Sequence, residues 1–294
     1  MHPEISRRSF LIGSAGLAAL AACGGEDKPD VSVDRPTTTA KGSGGPLSVL
    51  VGTFGAVAGV EERIAFAVLE GTPPKPLADT DAEITVSFAK VDGQAGPPEK
   101  ATPHHEGIEE RPYWSVRRTF AEPGNYVLEV NYEGRKGQAG LKLLAADAAT
   151  SPAPGKVFPA IVSPTVSDPK GVNPVCTRKP PCPLHGKSID AALREKKPAI
   201  VLFSTPALCQ SAICGPVLDI LLDAEPQWKD KANAIHVEVF TDLTGQKATE
   251  AFSALKSTVE PLIYFVKADG TIADRFDGPV DKVEMREAIA RLFV

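Results

Sequence analysis

From residue 47 to 144 apolar and polar positions alternate in short runs, while from 189 to 292 apolar residues recur at helical spacing between unbroken apolar runs. The alternation predicts strands over 47–54, 63–69, 83–91, 113–120, 125–132 and 138–144, because side chains of a strand point to opposite faces in turn. Asp92-Gly93 and Pro123-Gly124 are turn signals between them. Short strands in a stretch of about 100 residues predict an all-β sandwich. It holds no cysteine, so its core alone must stabilise it. The later region predicts a helix over 189–195, a buried strand over 199–203, and a helical face traced by Val217, Ile220, Leu221 and Ala224. A strand over 234–240, a helix over 247–255, a hairpin of 262–266 and 271–276 around Asp269-Gly270, and a helix over 283–292 complete it.

The order β-α-β-α-β-β-α resembles the thioredoxin family. Two further features carry the resemblance over roughly residues 155–294: Cys209 and Cys214 just after the buried strand, and the run Val259-Glu260-Pro261-Leu262-Ile263-Tyr264-Phe265 before Asp269-Gly270-Thr271. It implies an α/β thioredoxin-like C-terminal domain with Pro261 cis at a strand start, beside the reactive cysteines. Neighbouring backbone groups would then be free to pair with a bound peptide. The segment Phe120 to Leu128 resembles the corner of an immunoglobulin-like domain, with Tyr126 two residues before the core position held here by Leu128. The N-terminal domain is therefore expected to be an all-β immunoglobulin-like sandwich.

The first residues read as an address. Ser6-Arg7-Arg8-Ser9-Phe10-Leu11 fits a twin-arginine export signal, and the apolar stretch to Ala22 is too short to span a bilayer. Leu20-Ala21-Ala22-Cys23 resembles a bacterial lipoprotein box, which implies lipidation of Cys23 as the new N-terminus. The expected organisation is a signal peptide (1–22), a flexible tether (23–46), the sandwich (47–146), a proline-rich semi-rigid linker (147–183) and the thioredoxin-like domain (184–294). The protein would sit on the outer face of the cytoplasmic membrane, in contact with it through its lipid. A formal net charge of −5 argues against a nucleic-acid partner.

Of five cysteines, all but Cys23 lie in the C-terminal half. Outside the cytoplasm this favours paired or redox-active thiols. A structural disulfide between Cys176 and Cys182 would staple the end of the linker, adding about 2–3 kcal/mol by loop closure. The alternatives are an exchangeable pair that trades electrons with Cys209, and a metal site of Cys176, Cys182 and His185. His104 and His105 are expected in a solvated loop, since no third ligand stands at a telling spacing.

Four residues separate Cys209 from Cys214. On a regular helix that spacing turns the side chains about 140° apart with a rise of about 7.5 Å, whereas a disulfide needs Cα atoms within about 7 Å. Either Cys209 precedes the helix or the first turn unwinds. Pro216 fits a first turn with Gly215 as cap, or a kink in a longer helix starting near Cys209. Counted from the strand, Cys209 takes the thioredoxin nucleophile's place and Cys214 the resolving thiol's. Leu208 replaces the family's tryptophan and Leu202 its buried aspartate, which manages protons. Glu238 and Asp242 are substitutes, or else solvated surface acids.

The favoured expectation is an extracytoplasmic thiol–disulfide oxidoreductase acting on protein thiols or disulfides without a cofactor. One alternative is a thiol peroxidase, because Thr205-Pro206-Ala207-Leu208-Cys209 and Cys214-Gly215 resemble the bacterioferritin-comigratory peroxiredoxins. It lacks their upstream proline and arginine. The other is a copper-binding lipoprotein resembling the Sco-type chaperones, with His236 (or else a satisfied core histidine there) or His185 as the distant ligand, or a non-catalytic binding lipoprotein.

Overall fold

Residues 47–294 are described by a computed structural model of the chain. The expected signal and tether, with Arg7, Arg8 and Cys23, lie outside the described residues. No helix among the described residues is long and apolar enough to cross a membrane.

Nine strands build the first lobe: β1 (Leu47–Val51), β2 (Glu61–Glu70), β3 (Lys75–Pro76), β4 (Thr85–Lys90), β5 (Glu99–Lys100), β6 (Thr102–His104), β7 (Tyr113–Thr119), β8 (Gly124–Tyr132) and β9 (Arg135–Leu143). One sheet runs β1-β2-β7-β6 with β3 on β2, and the other runs β5-β4-β8-β9. All their pairings are antiparallel. Ile64, Phe66 and Trp114 from the first sheet meet Val86, Leu128 and Val130 from the second in one core. Gly137 lets the sheets close at one edge, since a Cβ there would lie 2.8 Å from Val49. Tyr126 donates its hydroxyl to the Glu122 carbonyl at 2.9 Å, the back-bond of a tyrosine corner.

The second lobe holds α1 (Ile189–Arg194), β10 (Ala199–Phe203), α2 (Cys214–Asp223), α3 (Glu225–Trp228), β11 (Asn233–Val237), α4 (Glu250–Ser253), β12 (Leu262–Val266), β13 (Ile272–Asp277) and α5 (Lys282–Arg291). The sheet order is β11-β10-β12-β13; β10 is parallel to β11 and antiparallel to β12. Every residue of β10 is buried. Ile200 and Leu202 face Leu218 and Leu221 of α2 and Ile289 of α5. Val201 and Phe203 face Ile189 of α1 and Phe252 of α4. A strand covered on both faces reads as an unbroken apolar run, as 199–203 does.

The proline-rich segment, expected as a semi-rigid linker over 147–183, packs against the second lobe. Gly155 and Phe158 donate backbone hydrogen bonds to Ile272 and Gly270, both at 2.8 Å. Phe158 is buried with its ring 4.7 Å from Tyr264. Asn173 donates to Thr241 at 2.8 Å. Proline removes a donor but leaves the neighbouring N–H groups free to pair, and the apolar residues between the prolines supply burial.

The sandwich also packs against the second lobe. Its first sheet buries its outer face: Ala65 and Tyr113 belong to the same core as Leu218 and Met285. Arg63 donates to both Glu284 carboxylate oxygens at 2.7 Å and to the Asp277 carbonyl at 3.0 Å. The Tyr113 hydroxyl reaches Glu284 at 2.5 Å. His104, expected in a solvated loop, is buried; it stacks on Tyr113 at 4.7 Å and bonds Ser115 at 2.9 Å. Both lobes belong to one compact unit.

Candidate functional site

The chain leaves β10 at Phe203 and makes two turns before α2. Leu208 donates to the Thr205 carbonyl at 3.0 Å and Ala212 to that of Cys209 at 3.1 Å. Ala212 is left-handed, with φ 55°. This folding back brings the Cys209 and Cys214 Cα atoms to 5.9 Å, and the two sulfurs are bonded. The helix starts at Cys214 itself, with Ile213 as N-cap, rather than after a Gly215 cap. Pro216 falls in the first turn, where its missing N–H costs nothing. Cys209 therefore precedes the helix, and no long kinked helix forms.

The two sulfurs differ in access. Cys209 is half-buried, while Cys214 is 0% exposed. The Cys214 N–H donates to Cys209 Sγ at 3.3 Å, and Ser211 Oγ lies 3.2 Å from it. An N–H donor and the positive end of α2 both favour a thiolate at position 209 in the reduced protein.

The Glu260–Pro261 peptide is cis and stands immediately before β12. Glu260 Oε2 accepts the Thr205 N–H at 2.6 Å, so this strand start is tied to the start of the cysteine loop. Burial pushes the Glu260 carboxyl up. Thr205 Oγ1 accepts from Val239 at 2.9 Å. Glu238 is not a surface acid: it is 2% exposed. Burial raises its pKa to about 8, against hydrogen bonds from Thr177. Thr177 Oγ1 in turn accepts the Ala207 N–H at 3.1 Å, linking Glu238 to the cysteine loop. Asp242 is exposed, and hydrogen bonds from Thr244 hold its carboxyl low.

A cleft of about 350 Å³ opens beside the loop. Ala212, Ile213 and Pro216 form one wall, and the sandwich residues Gly107 to Arg111 form the other.

Cys176 and Cys182 are free thiols rather than the expected staple. They gather with His185 and His236, and the four donor atoms lie within 4.8 Å of one another. His236 Nδ1 is 3.4 Å from Cys182 Sγ and 3.1 Å from His185 Nε2. The hydrogen bond with Cys182, then those with His185 and His236, hold the Cys176 thiol far below its ordinary range, while the Cys176 contact raises Cys182. Burial lowers His236, keeping it neutral. The histidine expected beside Cys209 and Cys214 in a Sco-like reading thus groups with the other cysteines. Sequence reasoning linked Cys176, Cys182 and His185 by their closeness. It could not add His236, which only the register of β11 brings alongside.

No family model matches the chain, and no curated protein matches it. Among solved structures, a thiol:disulfide interchange protein of the thioredoxin family from Chlorobium tepidum TLS is 15% identical over 49% of this chain and 97% of its own, with a TM-score of 0.31. The PmoD soluble domain from Methylocystis sp. strain Rockwell is 14% identical over 37% of this chain and 96% of its own, at a TM-score of 0.20. The PKD domain of the human VPS10 domain-containing receptor SorCS2 is 17% identical over 46% and 98%, at 0.19. Likenesses this distant carry no weight for the activity.

Proposed function

We propose that the protein is a thiol–disulfide oxidoreductase that uses the Cys209–Cys214 pair. The observation that carries this reading is the bond between a half-exposed Cys209 and a fully buried Cys214 at the first residue of α2. The sheet order β11-β10-β12-β13 with helices on both faces supports a thioredoxin-like lobe. The two antiparallel sheets and the Tyr126–Glu122 back-bond support an immunoglobulin-like sandwich. The resemblance of residues 6–11 to a twin-arginine signal and of residues 20–23 to a lipoprotein box supports work on the outer face of the cytoplasmic membrane, with a lipid anchor and with extracytoplasmic protein thiols or disulfides as substrates.

In the reduced protein the Cys209 thiolate attacks one sulfur of a partner disulfide. The partner S–S bond breaks, its second sulfur leaves as a thiolate, and a mixed disulfide forms. Cys214 loses its proton and attacks Cys209 Sγ. The Cys209–Cys214 bond forms and the partner's other sulfur is released, so the partner gains two electrons and this chain gives up two. The same steps run backwards when the partner is the more reducing. Glu238, neutral below about pH 8, is the buried acid nearest in role to the aspartate missing at Leu202. Thr205 gives no support to a peroxidase, because its hydroxyl accepts from Val239 and bonds the Glu238 carboxyl.

Insulin reduction in the presence of dithiothreitol tests the reading. Wild-type protein should accelerate it, Cys209→Ser should abolish the acceleration, and Cys214→Ser should accumulate a mixed disulfide. Peroxide consumption without insulin reduction would defeat the proposal.

A further inference from the structure

We infer that Cys176, Cys182, His185 and His236 form a closed four-coordinate site for zinc(II), separate from the Cys209–Cys214 pair. A tetrahedral zinc ion, with bonds of about 2.3 Å to sulfur and about 2.0 Å to nitrogen, holds its donors about 3.3 to 3.8 Å apart. The donors here already lie within 4.8 Å of one another. Two of these contacts, 3.1 Å from His236 to His185 and 3.4 Å from His236 to Cys182, are close to that spacing.

The surrounding hydrogen bonds prepare the donors. The Ser204 carbonyl can only accept, so His236 Nε2, 3.0 Å away, carries the ring proton. Nδ1 is left with a bare lone pair directed at Cys182 and His185, the tautomer a metal ligand requires. The Cys182 N–H donates to Cys176 Sγ at 3.3 Å, which favours a thiolate there. The His236 backbone N–H donates to the Leu184 carbonyl at 3.1 Å, fastening the ligand loop to the ligand strand.

Burial selects the ion. Exposure falls from 8% at Cys176 and 6% at Cys182 to 2% at His185 and 0% at His236. Two thiolates and two neutral imidazoles carry two negative charges. Zinc(II) cancels both, whereas copper(I) would leave one uncompensated in the interior. With four protein donors and no open position, the site is suited to holding structure rather than to chemistry. Binding releases the thiol proton of Cys182. It pins residues 176–185 to β11, the role expected of a disulfide, and withholds both thiols from exchange with Cys209 and Cys214.

The full-length protein, reduced without oxygen, is titrated with cobalt(II), then with zinc(II) and separately with copper(I). We expect tetrahedral cobalt–thiolate absorption saturating at about one ion per chain, bleached by zinc(II), and retained when Cys209 and Cys214 are both serine. Cys182→Ser or His236→Asn should weaken zinc binding by at least about 100-fold. Both substitutions fall in the core, so wild-type protein supplies a second readout. Zinc(II) should shield Cys176 and Cys182 from alkylation in peptide mass maps, compared with the same reduced protein without metal, while Cys209 stays labelled. The inference is overturned by a reduced wild-type protein without the cobalt spectrum, by a Cys176–Cys182 disulfide in the protein as purified, by tighter copper(I) than zinc(II) binding at this set, or by loss of the site with Cys209 and Cys214.

Discussion

Arg63 and Glu284 stand 221 positions apart and meet in a buried, two-pronged ion pair that joins the sandwich to the last helix. Burial alone would push the Glu284 carboxyl up, but Arg63, with help from His104 and Tyr113, holds it down to about 2. Removing one partner strands the other charge in the interior. Glu284→Gln should therefore destabilise the protein by about 3–5 kcal/mol in urea unfolding, and Arg63→Met with Glu284→Leu should recover part of the loss. A single substitution costing under about 0.5 kcal/mol would mean that the lobes do not depend on this pair.

Stability should peak on the acid side of neutrality. Glu284 is held below its usual value of 4.5, so its contribution is present above about pH 4.5 and fades as pH falls toward 2. Glu62 and Glu238 are displaced the other way, by burial, to about 7 and about 8. Their neutral forms stabilise the fold fully below pH 4.5, and that contribution is lost as pH rises through 7 to 8. Urea midpoints measured across this range should fall on both sides, and Glu238→Gln should flatten the alkaline side. An unchanged alkaline slope in that variant would remove Glu238 as its source.

Glu238 also bears on the chemistry. If it manages the proton of the resolving thiol, Glu238→Gln should slow resolution of the mixed disulfide and remove the inflection near pH 8 from its rate profile. The attack of Cys209 on a small disulfide should change little, because the N–H of Cys214 and the start of α2 remain. Equal losses in both steps would point to a structural role alone.

Phe158 tests whether the proline-rich segment is part of the folded body. It is buried against Tyr264, so Phe158→Ala should cost about 3–5 kcal/mol. A free linker would tolerate the change, and the urea midpoint would not move.

The cleft between Arg111 and Pro216 places sandwich residues beside the disulfide. Arg111→Glu should raise KM severalfold for a protein disulfide while leaving turnover of a small aromatic disulfide unaltered. Equal effects on both substrates would show that the sandwich wall does not meet the partner.

Much of this was legible in the chain. The runs 199–203 and 262–266 are the strands β10 and β12 to the residue, because strands covered on both faces have no polar positions to blur their ends. The sandwich strands were found within a few residues, and Tyr126 makes the expected corner bond. The short strands β3, β5 and β6 escaped because two or three residues carry no period. At β2 the residues Glu62 to Phe66 are all buried. The unbroken apolar run Ile64 to Leu69, in place of alternation, was the available sign that a second body covers its outer face.

Local pattern determined the longer elements and the spacing that bars Cys209 from a regular helix with Cys214. These follow from periodicity, backbone geometry and residue chemistry, which act over a few positions. Tertiary packing decided which distant groups share a low-dielectric interior. It buried Glu238, paired Arg63 with Glu284, and brought His236 to Cys176, Cys182 and His185. Contacts of that kind depend on sheet register and burial, and no spacing along the chain encodes either.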